Sequence, residues 1–302
     1  MLEKLFCRTN YYKKHYRRAG VLRSVLYGSP IRTAVFGSTQ IMYAVDFSAF
    51  SSFAGVNFAL PVQPFKYDGL ILKKVLEQMP PDGNVIFGIC PFSFLLTDFS
   101  AQQKETELFK RYQFLLSPDE LEVEFDPEQV ARKCFFEWKH FFRLFNRKEP
   151  QTVSSLATNE EFHQNAIRRM MQWQRAFMTP PEYDGLLKPE SIGINCSILR
   201  EMISLAASCR QHVYLLLPPV SEELFREISP QRLKKYLYEP LEKAVSGCRV
   251  KVLDFITDAR LVRHEMFLDS LLLNEKGQKA LSQFIAEELT NKSESDCTKC
   301  TK

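Results

Sequence analysis

Short apolar runs alternate along this chain with stretches whose apolar residues recur at helical spacing. Thr33-Ala34-Val35-Phe36-Gly37 is continuous apolar chain ending at glycine, as a strand buried on both faces would be. Val56-Asn57-Phe58-Ala59-Leu60 is a second such run, stopped by Pro61. Residues 68–79 then place Leu70, Ile71, Val75, Leu76 and Met79 on one helical face before Pro80-Pro81 ends the pattern. After the Pro-Pro-Asp-Gly turn, residues 84–90 read as a third strand. Residues 191–209 read as a helix, and 212–217 before Pro218-Pro219 as a fourth strand. A helix over 230–245, a fifth strand over 249–256 and a closing helix over 275–289, N-capped by Asn274, complete the series.

Continuous apolar strands separated by amphipathic helices predict a parallel sheet covered on both faces. The expected fold class is α/β: a three-layer α/β/α sandwich around a mostly parallel five-stranded sheet, flavodoxin-like in type. Residues 95–189 break the rhythm and read as a helical insertion over the sheet. Its segment 129–145 carries Phe135, Phe136, Trp138, Phe141, Phe142 and Phe145, a stripe that fits either the insertion's own core or a ligand platform. The expected organisation is a basic leader over 1–30, one α/β domain over 31–290 with that insertion, and a flexible polar tail over 291–302.

Composition agrees with a globular chain of 302 residues, 45% hydrophobic and 25% charged, with 25 Phe residues that exclude disorder throughout. The net charge of +4 is too small to indicate a nucleic-acid partner. That charge is concentrated: residues 1–27 hold seven Lys and Arg against the single acid Glu3, interleaved with Tyr11, Tyr12 and Tyr16. Such a segment suits either an anionic membrane surface or a solvated leader helix. Neither a signal peptide nor a run of about 20 apolar residues is visible, so the expected location is cytoplasmic, with a peripheral membrane contact allowed.

No cofactor is expected. The eight cysteines are scattered, and only Cys297-Thr-Lys-Cys300 has close spacing, without the second pair or histidines that zinc requires. The acidic run 119–126 lacks calcium-loop spacing, and no phosphate-binding or dinucleotide fingerprint occurs.

Chemistry in open parallel sheets gathers at the carboxyl ends of strands, and two segments stand there. One is Gly37-Ser38-Thr39-Gln40 after the first strand, where hydroxyls meet a helix start. The other is Asp269-Ser270-Leu271-Leu272-Leu273-Asn274-Glu275-Lys276-Gly277, before the last helix. In this order they resemble the SGNH (GDSL-type) hydrolases, which carry Gly-Asp-Ser or Gly-Ser-Ser after the first strand and Asp-x-x-His-Leu-Asn-x-x-Gly near the C-terminus. The stretch from Gly37 to Asp46 followed by Val56-Asn57-Phe58-Ala59 resembles the branch found with bacterial cell-surface carbohydrate and teichoic-acid modification. Leu215-Leu216-Leu217-Pro218-Pro219 and Val252-Leu253-Asp254-Phe255 fit that branch as well. The resemblance covers about 30–95 and 190–290.

The resemblance puts the nucleophile position at Thr39, the catalytic acid at Asp269 and oxyanion-side groups at Gly37 and Asn57. It puts the general base at Leu272, which cannot accept a proton. The oxyanion Asn after the third strand is absent as well, where the chain reads Gly88-Ile89-Cys90-Pro91-Phe92. Two readings follow. In the first, this is a catalytically degenerate protein that binds an acylated carbohydrate or lipid-linked sugar without turning it over. In the second, Ser38 or Thr39 works with His264 as an esterase or O-acyltransferase. Asn57 in turn could face the cleft or cap a turn.

Overall fold

The computed structural model describes residues 30–47, 54–96, 158–178 and 188–297, together with scattered residues between 22 and 28 and between 98 and 121. The chain divides into two compact units, Met1–Ser29 with Asp98–Ser154, and Pro30–Thr97 with Ser155–Lys302. Residues 129–145, Tyr11, Tyr12, Tyr16 and Cys300 lie outside the described residues. In the first unit the described Leu22, Leu26, Leu108, Tyr112, Leu115, Leu116 and Leu121 are buried.

The second unit is built on five strands: β1 Thr33–Phe36, β2 Gly55–Asn57, β3 Asn84–Gly88, β4 His212–Leu217 and β5 Lys251–Asp254. Their order in the sheet is β2-β1-β3-β4-β5, and every pairing is parallel. The expected α/β sandwich is therefore the observed one, with the strand order of flavodoxin-like doubly wound folds. Helices separate the strands: α1 Thr39–Met42, α2 Phe65–Leu76, α3 Asn159–Met178, α4 Ile192–Ser208, α5 Glu222–Glu227, α6 Pro230–Leu233, α7 Glu239–Val245 and α8 Glu275–Cys297.

Strand side chains alternate between faces, which assigns each layer its core. On one face Val35, Ile86, Tyr214, Leu216 and Leu253 form a cluster with Ile41, Ala44 and Val45 of the α1 region and Leu281, Ile285 and Leu289 of α8. On the other, α2, α4 and α7 pack side by side. Residues 58–60, expected in β2, leave the ladder but stay beside β1, since Phe58 N–H donates to Val35 O and Leu60 N–H to Gly37 O.

The single helix expected over 230–245 is three pieces, with a π-helical turn at Lys234–Tyr238 between α6 and α7. Pro240 explains the break, because a proline has no N–H to donate to the carbonyl of the preceding turn. Helix α3, within the stretch read as an insertion, belongs to the same unit as the sheet and packs along α5. Helix α8 runs past Leu289 to Cys297, into the segment expected to be a polar tail.

Candidate functional site at the carboxyl edge of the sheet

The sheet order reverses at β1, whose neighbours β2 and β3 are reached by connections running opposite ways, so the crevice of this fold opens beyond β1 and β3. The turn Gly37-Ser38-Thr39 lies there. Gly37 has φ +144°, and a Cβ on it would stand 2.7 Å from Ile41 Cγ1. A Cβ on Gly88, at the end of β3, would stand 2.2 Å from two atoms of Ile41. Both strand ends thus need glycine so that α1 can lie directly on them with Ile41 as the plug.

The two hydroxyls of this turn sit differently. Ser38 is 2% exposed, and its Oγ lies 3.4 Å from Cys90 Sγ. Thr39 is partly exposed, and its Oγ1 accepts the Val62 N–H at 3.1 Å. Gln40 Nε2 donates to Pro219 O at 3.1 Å, joining α1 to the end of β4.

Beneath the turn is a buried polar network that the hydrophobic pattern did not announce. Asp68, in the first turn of α2, accepts the Gly37 N–H at 3.0 Å and Gln63 Nε2 at 2.5 Å, both on Oδ1. The residue is 1% exposed, and burial pushes its pKa up to about 8 against the lowering effect of the Gln63 and Gly37 hydrogen bonds. Cys90 lies alongside: its N–H donates to Ser93 Oγ at 2.8 Å, and burial pushes its thiol up to about 12. A thiol so placed is no nucleophile at neutral pH. One signal for Asp68 was present in the sequence, because it falls in register with Ile71, Leu72 and Val75, an acid on the apolar face of a helix.

Asn57 bonds to backbone groups. Its Nδ2 donates to Ile41 O at 3.0 Å and Val45 O at 2.8 Å, and its Oδ1 accepts the Ala59 N–H at 3.0 Å. The amide satisfies carbonyls at the end of α1, as a turn-capping residue would.

The loop before α8 is fastened by Asn274, Gly277 and Asp269. Asn274 Nδ2 donates to Glu265 O and Phe267 O at 2.8 and 3.2 Å, and its Oδ1 accepts the Gly277 N–H at 3.1 Å as the cap of α8. A Cβ on Gly277 would stand 2.2 Å from Met266 O, so only glycine lets the loop pass this close to the helix. Asp269 Oδ1 accepts the N–H groups of Leu271 and Leu272 at 2.8 and 2.9 Å, closing the turn that carries Leu272. The other carboxylate oxygen is ion-paired with Arg169 of α3. His264 is exposed on a short 3₁₀ turn, its ring edge-on to Phe162 with centroids 5.8 Å apart.

Both halves of the expected site are therefore attached to the same edge, yet neither His264 nor Asp269 is hydrogen-bonded to Ser38 or Thr39. Among the described residues no cluster of three or more His, Cys, Asp or Glu is placed to hold a metal ion. Nor is any described helix long and apolar enough to cross a membrane.

No protein-family model matches the chain, and no curated protein matches it. Among solved structures, a protein from Streptococcus pneumonia provisionally called a platelet activating factor aligns with a TM-score of 0.44 at 12% identity, over 93% of this chain and 95% of its own. The Bacillus subtilis protein YxiM aligns with a TM-score of 0.42 at 10% identity, over 88% of this chain and 57% of its own. These likenesses are distant, and the fold assignment stands on the sheet's own order and pairing.

Proposed function

We propose that this chain is a catalytically silent protein of SGNH-like design that binds an acylated carbohydrate or lipid-linked sugar at the carboxyl edge of its sheet. The observation that carries the reading is the state of Asp269. In a working triad that carboxylate orients an imidazole; here its oxygens are taken by two backbone N–H groups and Arg169, and the third residue onward is Leu272. Without a base, neither hydroxyl is activated: Ser38 is enclosed against a thiol, and Thr39 is held by Val62. The ligand class comes from the sequence resemblance and rests on it alone.

Thr39 supports a second reading. Its oxygen accepts one hydrogen bond and its own proton is uncommitted among the described residues, so an imidazole brought to it would complete a nucleophile–base pair. His264 is the histidine on the same loop as Asp269, and it would have to leave Phe162 to get there.

Fluorophosphonate labelling with intact-mass readout separates the two. The expected result is no adduct on the folded chain, together with calorimetric binding of O-acetylated xylo-oligosaccharide in preference to the saponified form. A stoichiometric adduct on Thr39 that disappears in His264→Ala would replace the first reading with the second.

A further inference from the structure

Helix α3 touches the loop before α8 through three side chains on one stripe. Phe162 meets the ring of His264, Asn165 Oδ1 accepts from Ser270 Oγ at 2.6 Å and from Ser270 N–H at 3.2 Å, and Arg169 pairs with Asp269. The spacing of three and then four residues is that of a single helix face. Buried Phe162, Ala166 and Met170 lie on the same side, so the stripe is the seated face of the helix.

The Arg169 contact differs in kind from the other two. Both partners are mostly withdrawn from solvent, with side-chain exposures of 23% and 17%. Among the described residues the Arg169 Nε is buried and lacks a hydrogen-bond partner. A guanidinium carrying five donors would be poorly housed there unless its carboxylate were the reason for its position. Asp269 in turn presents one oxygen to the turn that it closes and the other to Arg169, so an imidazole at position 272 would have to compete with a guanidinium for the second oxygen.

The geometry points to Arg169 as the residue that has taken the place of the missing imidazole as the partner of Asp269, locking the loop to helix α3 from outside the loop itself. This deepens the reading of a silent site and rests on it: loss of the base at Leu272 is compensated by a cation from another element. Restoring histidine at 272 alone would therefore not restore an oriented base, because Arg169 competes for the carboxylate oxygen that the imidazole needs.

The test is the titration of the introduced imidazole, followed by NMR in three variants. In Leu272→His the imidazole is expected to titrate near the ordinary value of about 6.5. In Leu272→His with Arg169→Met, the freed carboxylate is expected to raise it by about one unit or more. Labelling of Thr39 by fluorophosphonate is expected to rise about 100-fold over the single variant, the low end of what a positioned base contributes. In Leu272→His with Asn165→Ala, which loosens the same helix without freeing Asp269, the titration should match the single variant.

An imidazole already raised in the single variant overturns the inference. So does one left unraised when Arg169 is removed, or one raised equally by Asn165→Ala. Should the Arg169→Met variant not fold, Arg169→Gln, which removes the charge and keeps a polar side chain, takes its place. Labelling of the unmodified chain would count against the silent-site reading, whereas the titration alone decides the role of Arg169.

Discussion

The turn after β1 and the loop before α8 lie at one edge of the sheet, yet they hold their polar groups in opposite ways. At the turn, Gly37 N–H, Gln63 and Asp68 form a network closed from water, with no cation in it among the described residues. At the loop, Asp269 is part-exposed and neutralised by Arg169. A carboxyl without a counter-charge stays in a dry site by holding its proton, whereas one with a guanidinium beside it has an opposite charge to pair with. The two acids thus do different physical work: Asp68 binds the turn as a neutral or nearly neutral acceptor, and Asp269 fastens a helix through charge.

The largest consequence concerns pH. Asp68 is raised to about 8 in the folded chain, whereas an unfolded aspartate titrates near 3.9. Its contribution is fully present below about pH 4 and is lost as pH rises through about 8, at about 1.4 kcal/mol per pH unit between them. Urea unfolding should therefore show a loss of about 4 kcal/mol from this group between pH 5 and pH 8. Asp258, Glu265 and Glu275 are shifted the other way by their hydrogen-bonded partners Arg260, Lys276 and Lys279, so their contributions are lost only below about pH 4, outside that window. Asp68→Asn keeps an acceptor for Gly37 and Gln63 while removing the ionisation. The variant should lose the slope and exceed the parent in stability at pH 8. Parallel pH profiles for the two proteins would show that Asp68 is ionised in the folded state and that the contrast between the regions is not one of charge.

The fold that carries this contrast was legible in the chain before its structure, whereas the partners of its two acids were not. The strands around Val35, Ile86 and Leu215 announced themselves as unbroken apolar runs, because a strand covered on both faces has no polar side to show. The Asp269 to Gly277 segment was readable because a tight loop meeting a helix needs particular residue types, and Asn274 and Gly277 satisfy particular backbone groups. Asp68 was passed over since helical periodicity counts the apolar positions and treats one acid among them as noise. Arg169 could not be found at all: its partner is 100 residues away, and no local pattern encodes a pairing made by packing.

The next effect tests how tightly the turn is closed. Gly88→Ala puts a methyl 2.2 Å from Ile41, whose side chain is itself fully buried and cannot swing away. Overpacking of this kind costs about 1–3 kcal/mol, and it should lower the denaturation midpoint without changing the m-value. Pairing it with Ile41→Val, which makes room, should recover part of the loss. Destabilisations that simply add would mean the two residues do not meet, and that the turn is looser than the loop.

The smallest effect belongs to the loop, and it asks whether scaffold and charge are separable there. Asn274→Ala removes the cap of α8 along with two hydrogen bonds to the loop carbonyls of Glu265 and Phe267. Loss of a helix cap costs about 1 kcal/mol. Asn274 and Arg169 hold the loop by different means, one through backbone groups and one through a carboxylate. If these anchors are independent, Asn274→Ala and Arg169→Met should destabilise additively in urea melts. A coupling above about 0.5 kcal/mol would instead show that the cap sets the position of Asp269. In that case the residues that cap this loop and the arginine that reaches in from α3 form one cooperative unit, and the loop's geometry is what holds the ion pair together.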